Sequence, residues 1–207
     1  MKLKNTQKIL YLIADCKAGL APIEEALRAG VDYLQLREKD LPSARYLELA
    51  RAVKSLCEKY HTPFIVNDRI DIALLSGADG VHLGADDVPV SDARRLLGEA
   101  AIIGATAKTV EGAIAAQRSG ADYLGSGAFF ETATKSDAVP LAPELYREIL
   151  NSITIPDVAV GGITVDNCDL PLSLGADGLA ISAGIMKSEH IAEAVSAFRK
   201  KLGMLHR

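Results

Sequence analysis

Short apolar runs alternate with longer amphipathic blocks along nearly the whole chain. Such runs predict buried strands, whereas the blocks carry apolar residues at the spacing of a helix face. Four predicted strands are residues 9–15, 63–68, 100–106 and 156–162, and four more close the segments 28–36, 75–83, 118–126 and 173–181. The predicted helices are residues 22–30, 42–60, 69–77, 89–99, 110–120, 142–152, 165–175 and 190–202. Strand and helix therefore alternate eight times, which predicts a parallel sheet.

The four segments that end in a strand form an internal repeat. Each contains a glycine, then Ala or Val, then Asp, as in RAGVDYLQL and LSGADGVHL, and glycine readily adopts the left-handed conformation that ends a helix. The glycines Gly30, Gly77, Gly120 and Gly175 recur at spacings of 47, 43 and 55 residues, enough for two strand-helix units per repeat. We therefore expect an α/β fold, a single (β/α)8 TIM barrel forming one domain over residues 1–207. An open doubly wound sheet is the alternative, although the chain has no GxGxxG or Walker motif.

Composition narrows the class of protein. A chain of 207 residues that is 49% hydrophobic can bury a large core, and no Pro/Gly/Ser-rich linker divides it. The net charge of −4, with 5% aromatic residues and no Trp, argues against a nucleic-acid surface. The apolar run near the N-terminus is too short for a signal peptide or a membrane span, so we expect a cytoplasmic protein with no membrane partner. The three cysteines lack metal or disulfide spacing and are interpreted as small buried side chains, and the sequence leaves homo-oligomer formation open.

Polar side chains follow the predicted strands at their carboxyl ends. In a (β/α)8 barrel these ends meet at one rim, where active sites lie. The residues at this rim are Gln35, Arg37 and Lys39 after the second strand, Asn67 and Asp68 after the third, Asp87 after the fourth, Thr106 at the end of the fifth, Lys135 after the sixth, Gly161 and Gly162 after the seventh, and Ile181 to Gly184 after the eighth. The polar residues therefore follow strand order rather than being scattered over the surface.

The residue types at this rim suit a polyphosphate and a metal. Asp68 and Asp87 arrive from neighbouring strands, and Mg²⁺ prefers one or two carboxylates together with water and phosphate oxygens. Arg37, Lys39 and Lys135 would complement the phosphate charge and stabilise a departing anion.

A second anion site is predicted across the same mouth. The pair Gly161 and Gly162, with a turn at residues 182–184, offers backbone N–H groups where barrels often bind a phosphate. Each residue also has a plainer interpretation. Asp68 and Asp87 could cap the following helices, Arg37 and Lys39 could be a solvated strand end, and His82 within the fourth strand is interpreted as structural.

The motifs QLREKD, VNDRIDIALLSGADGVHLGADD, GATAKT, TATKSDA, VAVGGITVDN and GADGLAISAGI follow one another along nearly the whole chain. In this combination and order the sequence resembles the thiamine-phosphate synthase family. The resemblance implies a transferase that joins hydroxymethylpyrimidine diphosphate to a thiazole phosphate, with Mg²⁺, and releases diphosphate by a dissociative step. It also implies diphosphate contacts by Gln35, Arg37, Lys39, Asn67, Thr106 and Lys135, magnesium ligands at Asp68 and Asp87, and thiazole-phosphate contacts by Thr132, Thr134, Gly162, Ile181 and Ser182. Arg37, Lys39 and Lys135 would be the catalytic residues.

Two other functions stay open at this point. A paralogous thiazole tautomerase would bind a thiazole phosphate without needing the diphosphate site, but Lys39 and Asp87 match the synthase pattern. A phosphate-binding barrel without turnover is the alternative outside the enzymes. The chain departs from the family pattern at Ala85, Thr106, Lys108 and Glu131, of which Thr106 keeps the hydroxyl of the usual Ser.

Overall fold

The computed structural model describes residues 7–131 and 140–204 and shows a closed barrel of eight parallel strands. The strands are β1 Ile9–Ala14, β2 Tyr33–Leu36, β3 Phe64–Asn67, β4 Gly80–Leu83, β5 Ile102–Ala107, β6 Tyr123–Gly127, β7 Asp157–Val160 and β8 Gly178–Ile181. They neighbour one another in chain order, and β1 also pairs with β8. This closure confirms the predicted (β/α)8 barrel and excludes the open sheet.

A helix follows every strand. The helices are α1 Ala21–Arg28, α2 Ser43–Lys59, α3 Ile70–Ser76, α4 Val90–Leu97, α5 Val110–Arg118, α6 Pro143–Ser152, α7 Asp169–Leu174, α8 Ala183–Met186 and α9 Ile191–Met204. The segment predicted as a turn after β8 is instead the single helical turn α8, so that prediction was wrong. Ser182 precedes α8, and its carbonyl accepts hydrogen bonds from Ile185 and Met186, which closes the turn as a helix. Within the described residues, no helix has the length and apolar character needed to cross a membrane.

Strand alternation divides the core into two layers. One set of side chains packs between the barrel and the helices, including Leu10, Leu34 and Val66, all fully buried. The other set fills the barrel itself and is smaller; its buried apolar members are Ile9, Tyr11, Tyr33, Ile65, Ile102, Tyr123, Val158 and Ala180. Gln35, Asn67, His82 and Thr106 occupy inward positions closer to the carboxyl ends of their strands.

The aspartate of each sequence repeat binds the preceding strand at the opposite end of the barrel. In every case its backbone N–H donates to one residue of that strand and its carboxylate accepts from the N–H of the same residue. The pairs are Asp32 with Leu10, Asp79 with Phe64, Asp122 with Ile103 and Asp177 with Asp157, at 2.7–2.9 Å. The repeat in the sequence is therefore a repeated clamp between each odd strand and the next even one.

The repeat glycines have the backbone conformation that the sequence predicted. Gly77 and Gly175, with φ of 70° and 113°, end helices α3 and α7 in the left-handed region. Gly30 and Gly120 follow α1 and α5 with φ of 96°. Each glycine turns the chain out of its helix, so that the aspartate two residues later reaches the neighbouring strand.

Asp122 has the most buried ion pair among the clamps. Its carboxylate also accepts from Arg94 at 2.6 Å, and the two side chains are 7% and 12% exposed. We expect Asp122→Ala to lower the free energy of unfolding by about 3 kcal/mol, because it leaves the Arg94 charge and the Ile103 N–H without this partner. Urea unfolding followed by circular dichroism measures the change.

The matched control is Asp92→Ala, which breaks an exposed pair with Arg95 on helix α4. Exposed pairs of this kind contribute about 0–1 kcal/mol, so the control should unfold close to the wild type. Equal effects of the two substitutions would contradict a structural role for the clamp.

Candidate active site

Asp68, Asp87 and Lys39 come together at the carboxyl-end rim of the barrel. Lys39 follows β2 and its Nζ donates to Asp68 Oδ2 at 2.8 Å. Asp68 follows β3 directly, and its carboxyl group is hydrogen-bonded to that of Asp87 beyond β4. Three consecutive strands therefore contribute one charged side chain each, as the sequence predicted.

The alternative that these aspartates cap helices is wrong. Helices α3 and α4 begin after Arg69 and Pro89, and neither has a side-chain cap. Asp87 instead accepts from the N–H of Gly84 at 2.7 Å, which holds its carboxylate against the end of β4. Asp68 has a φ of 63°, a left-handed conformation that costs free energy in a non-glycine residue and is characteristic of functional sites.

The interaction between the two carboxyl groups shifts their pKa values in opposite directions. Burial raises the pKa of Asp87, and the hydrogen bond with Asp68 raises it further. Burial acts in the same direction on Asp68, but hydrogen bonds from Lys39 and Asp87 outweigh it and lower the pKa of Asp68. Adjacent carboxylates cannot both ionise without compensation, so this pair attracts a cation. In the described part of the chain no group of three or more His, Cys, Asp or Glu residues could hold a metal, so further ligands would be water or substrate oxygens.

Arg37 and Asn67 lie at the ends of β2 and β3, the strand ends that also lead to Lys39 and Asp68. The half-buried guanidinium of Arg37 has no hydrogen bond or ion pair with any described residue. Asn67 is 6% exposed, and its side-chain amide also has no partner among the residues that the structure describes. No buried side-chain nitrogen or oxygen atom of the described residues lacks a partner, so the polar atoms of the Asn67 amide are accessible at the mouth of the barrel and can hydrogen-bond a ligand.

Tyr46 supports this rim from helix α2. Its hydroxyl group is buried and lies 2.9 Å from the carbonyl oxygen of Leu36 and 3.4 Å from that of Asn67, the last residues of β2 and β3. One hydroxyl thus lies between the two strand ends from which Lys39 and Asp68 emerge.

Inside the barrel, below the rim, five polar side chains form a continuous hydrogen-bonded chain. Gln35 Nε2 donates to the Tyr11 hydroxyl at 3.1 Å, and this hydroxyl lies 2.7 Å from that of Tyr123. The Tyr123 hydroxyl is 3.1 Å from His82 Nδ1, and His82 Nε2 is 3.1 Å from Thr106 Oγ1. Burial lowers the pKa of His82 to about 4, so the ring is neutral near pH 7. Tyr11 and Tyr123 were not predicted from the sequence, and His82 was interpreted as structural. The available signal was the spacing of two between inward positions, which relates Tyr11 to Ile9 and Ile13, His82 to Gly80, and Tyr123 to Gly125.

The predicted second anion site lies between the ends of β7 and β8. Gly161 and Gly162 have φ of 99° and 65°. The N–H groups of Gly162, Ala183 and Gly184 make no hydrogen bond to other described residues. The two loops are in contact, because a Cβ on Gly184 would lie 3.0 Å from the carbonyl oxygen of Ile163. Unpaired N–H groups of this kind suit a phosphate.

The remaining predicted residues separate into two groups. Ile181 is buried as the last residue of β8, and Ser182 precedes α8, so both border the N–H groups just described. Thr132, Thr134 and Lys135 lie outside the described residues.

Comparison with known proteins identifies the family. The profile of the thiamine monophosphate synthase family matches residues 10–185. The chain belongs to this family. It is 42% identical over 198 residues to thiamine-phosphate synthase 2 of Streptococcus pneumoniae, covering 93% of this chain and 94% of the relative. It is 42% identical over 196 residues to thiamine-phosphate synthase of Clostridium acetobutylicum, covering 92% and 93% of the two chains.

A solved structure of the same family has a closely similar fold. Thiamine phosphate pyrophosphorylase from Pyrococcus furiosus superposes with a TM-score of 0.87 at 36% identity, covering 95% of this chain and 96% of that one. A geranylgeranylglyceryl phosphate synthase from Thermoplasma acidophilum superposes with a TM-score of 0.71 at 17% identity, which shows a shared fold alone. The thiamine monophosphate synthase family thus accounts for nearly the whole chain rather than for an isolated motif.

Gly162 is required by the contact between the loops after β6 and β7. A Cβ at this position would lie 2.5 Å from the carbonyl oxygen of Glu131 and 2.7 Å from Phe130 Cβ. With its positive φ as well, we expect Gly162→Ala to lower the free energy of unfolding by more than about 1 kcal/mol. Thermal and urea unfolding measure the loss.

Gly203→Ala is the matched control. Gly203 lies in helix α9 and a Cβ there would contact nothing within 4 Å, so alanine should raise stability by about 0.5–1 kcal/mol. Opposite signs for the two substitutions are expected, and a stabilising effect of Gly162→Ala would contradict the steric argument.

Proposed function

We propose that this protein is a thiamine-phosphate synthase, a transferase that joins hydroxymethylpyrimidine diphosphate to a thiazole phosphate and releases diphosphate. The observation that carries this proposal is the joint presence of a cationic and carboxylate cluster, at Lys39, Asp68 and Asp87, and a separate set of N–H groups without a partner among the described residues, at the ends of other strands of the same barrel mouth. The names of the relatives support a synthase over a tautomerase, which would not need the first of these sites.

The carboxylate pair is the proposed Mg²⁺ site. Asp68 and Asp87 are adjacent hard oxygen donors whose mutual repulsion a cation would relieve, so the residues fit this metal. When bound, Mg²⁺ would neutralise part of the charge that develops on the departing diphosphate. Lys39 donates to Asp68 in this structure, and its ammonium group has two further N–H donors that could bind the diphosphate.

The other side chains would bind and orient the substrates. Arg37 has no hydrogen bond or ion pair with another described residue and can bind phosphate oxygens with two N–H groups, and Asn67 and Thr106 can hydrogen-bond the same substrate. Lys135 is proposed as a third cation toward the leaving group, and Gln35 as a further contact. We assign the thiazole phosphate to Gly162, Ile181 and Ser182, together with Thr132 and Thr134.

The chemistry requires stabilisation of charge more than transfer of protons. As the carbon-oxygen bond breaks, negative charge grows on the diphosphate while the aminopyrimidine stabilises the positive carbon. Arg37 and Lys39 would favour this step because their charges are already positioned near the departing group. The phosphate clamp would hold the thiazole nitrogen in line to capture the carbon.

We also propose that residues 1–207 form a single domain and that the protein works in the cytoplasm. The cysteines Cys16, Cys57 and Cys168 are all free, which suits a reducing compartment.

The proposal is tested by mixing the two phosphorylated substrates with Mg²⁺ and detecting thiamine phosphate as fluorescent thiochrome after oxidation. We expect Mg²⁺-dependent formation of product with one diphosphate released per turnover. Tight binding of a thiazole phosphate without product would favour the tautomerase or a non-catalytic barrel instead.

Lys39→Ala should lower the single-turnover rate by on the order of 10²–10³, with thiazole-phosphate affinity nearly unchanged, because it removes charge stabilisation from the breaking bond. Arg37→Ala should behave in the same way. Rapid-quench kinetics and calorimetry measure the two quantities, and circular dichroism checks folding. Lys17→Ala is the control, since Lys17 is an exposed lysine whose only ion pair with a described residue is a weak 3.9 Å contact with Asp15. If the Lys39→Ala protein is folded and retains most of the wild-type single-turnover rate, Arg37 and Lys39 are solvated charges at the end of a strand and do not act in catalysis.

Asp87→Asn should raise the Mg²⁺ concentration needed for half-maximal activity and lower the maximal rate strongly, because asparagine removes one of the two carboxylates. A Mg²⁺ titration of initial rates checks this. Asp86→Asn, one residue earlier on an exposed position, is the control. Identical titration curves for Asp87→Asn and the wild type would remove Asp87 from the metal site.

A further inference from the structure

The distances leave the donor open between the two tyrosine hydroxyl groups and at both nitrogens of His82, and the amide of Gln35 provides the one defined donor of this hydrogen-bonded chain. The Gln35 amide N–H can only donate, so the Tyr11 hydroxyl accepts from it, and Tyr123 is then the acceptor within reach, among the described residues, for the Tyr11 proton. The Tyr123 hydroxyl then donates to His82 Nδ1. Because Nδ1 of this neutral ring is the acceptor, the proton of the ring lies on Nε2, which donates to Thr106 Oγ1.

With this direction, the hydroxyl proton of Thr106 has no acceptor within the hydrogen-bonded chain. Thr106 Oγ1 accepts from His82, so its own hydroxyl proton is free to point elsewhere. Thr106 is only partly buried and stands at the carboxyl end of β5, whereas Gln35 is 3% exposed and Tyr11 and Tyr123 are 1% exposed. The hydrogen-bonded chain therefore begins at residues that are buried more deeply than Thr106 and ends nearer the mouth with an O–H group.

We propose that Tyr11, Tyr123 and His82 are positioning residues that make the Thr106 hydroxyl a hydrogen-bond donor to the diphosphate group of the substrate. This inference rests on the proposed function for its ligand. A threonine hydroxyl can otherwise donate or accept, and an acceptor facing a phosphate oxygen would be repulsive. The Gln35 amide determines the tautomer of His82 through three successive hydrogen bonds. The Thr106 hydroxyl then accepts from His82 and can only donate to the ligand.

The backbone around the chain leaves space for it. Gly104 on β5 faces the Tyr123 ring, and a Cβ at this position would overlap the ring atoms. A Cβ on Gly125 would lie 3.0 Å from His82 Cε1. The rings of Tyr123 and His82 are 5.5 Å apart between centroids, so each glycine accommodates one of two adjoining rings.

The direction of the hydrogen-bonded chain can be measured without substrate. In ¹⁵N NMR spectra of the wild type, with the His82 signals assigned by their loss in His82→Asn, we expect the Nε2–H tautomer. Tyr123→Phe removes the hydroxyl that donates to Nδ1, and Gly104→Ala displaces the same hydroxyl while retaining every polar group; both should change the tautomer signature. Tyr146→Phe is the control, because it removes a buried hydroxyl bound to Asp157 outside the chain and should leave the His82 signals unchanged. A wild-type ring protonated on Nδ1 overturns the proposal.

The consequence for the ligand is tested with inorganic diphosphate and Mg²⁺ by calorimetry. Thr106→Val and Tyr123→Phe should each weaken binding about tenfold, as for loss of a hydrogen bond to a charged group. The double variant should lose little more than either single one, because both act through the same hydroxyl. Wild-type affinity in Tyr123→Phe, or fully additive losses, would overturn the proposal. A wild type that binds no diphosphate overturns the proposed function and this ligand assignment, while the NMR result still reports the direction of the chain.

Discussion

The clamp between each repeat aspartate and the preceding strand is the constraint on which the site depends. Successive side chains of a strand face alternately the barrel interior and the helices. A shift of the strand pairing by one residue would therefore turn the functional side chains on that strand outward. Asp79 holds both backbone groups of Phe64, which fixes β3 against β4 at the end far from the site. Asn67 and His82 consequently meet in register at the other end.

The carboxyl-end rim brings two carboxyl groups and two cationic side chains together, and their charges are only partly paired with one another. The interaction between Asp68 and Asp87 raises the pKa of Asp87, and Lys39 forms an ion pair with Asp68. Arg37 adds a cation without any partner among the described residues. Such an arrangement stabilises the protein little, but it suits a ligand that brings its own negative charge and a divalent cation.

The side chains that fill the barrel interior change from apolar to polar along the barrel axis. Toward the amino ends of the strands it is filled by apolar side chains such as Ile102 and Val158, which pack without polar requirements. Toward the mouth the bulky branched residues give way to tyrosine, glutamine and histidine, and glycines on β5 and β6 supply the space. Buried polar groups are tolerated there because each is hydrogen-bonded to the next, which also makes their orientation unique.

The sequence by itself determined the architecture, because alternating apolar runs and a repeated Gly-x-Asp leave few ways to bury eight parallel strands. It also predicted which strand end carries Lys39, Asp68 and Asp87, since strand order brings those ends together in any closed barrel. Only the tertiary structure decided how these groups pair, that neither aspartate caps a helix, and that residues after β8 form a helical turn. It alone revealed the contact between Tyr11 and Tyr123, which lie on strands β1 and β6 and are 112 positions apart in the chain. Local patterns report the face of a strand, whereas contacts across the barrel depend on side-chain volumes and on the space left by glycines at distant positions.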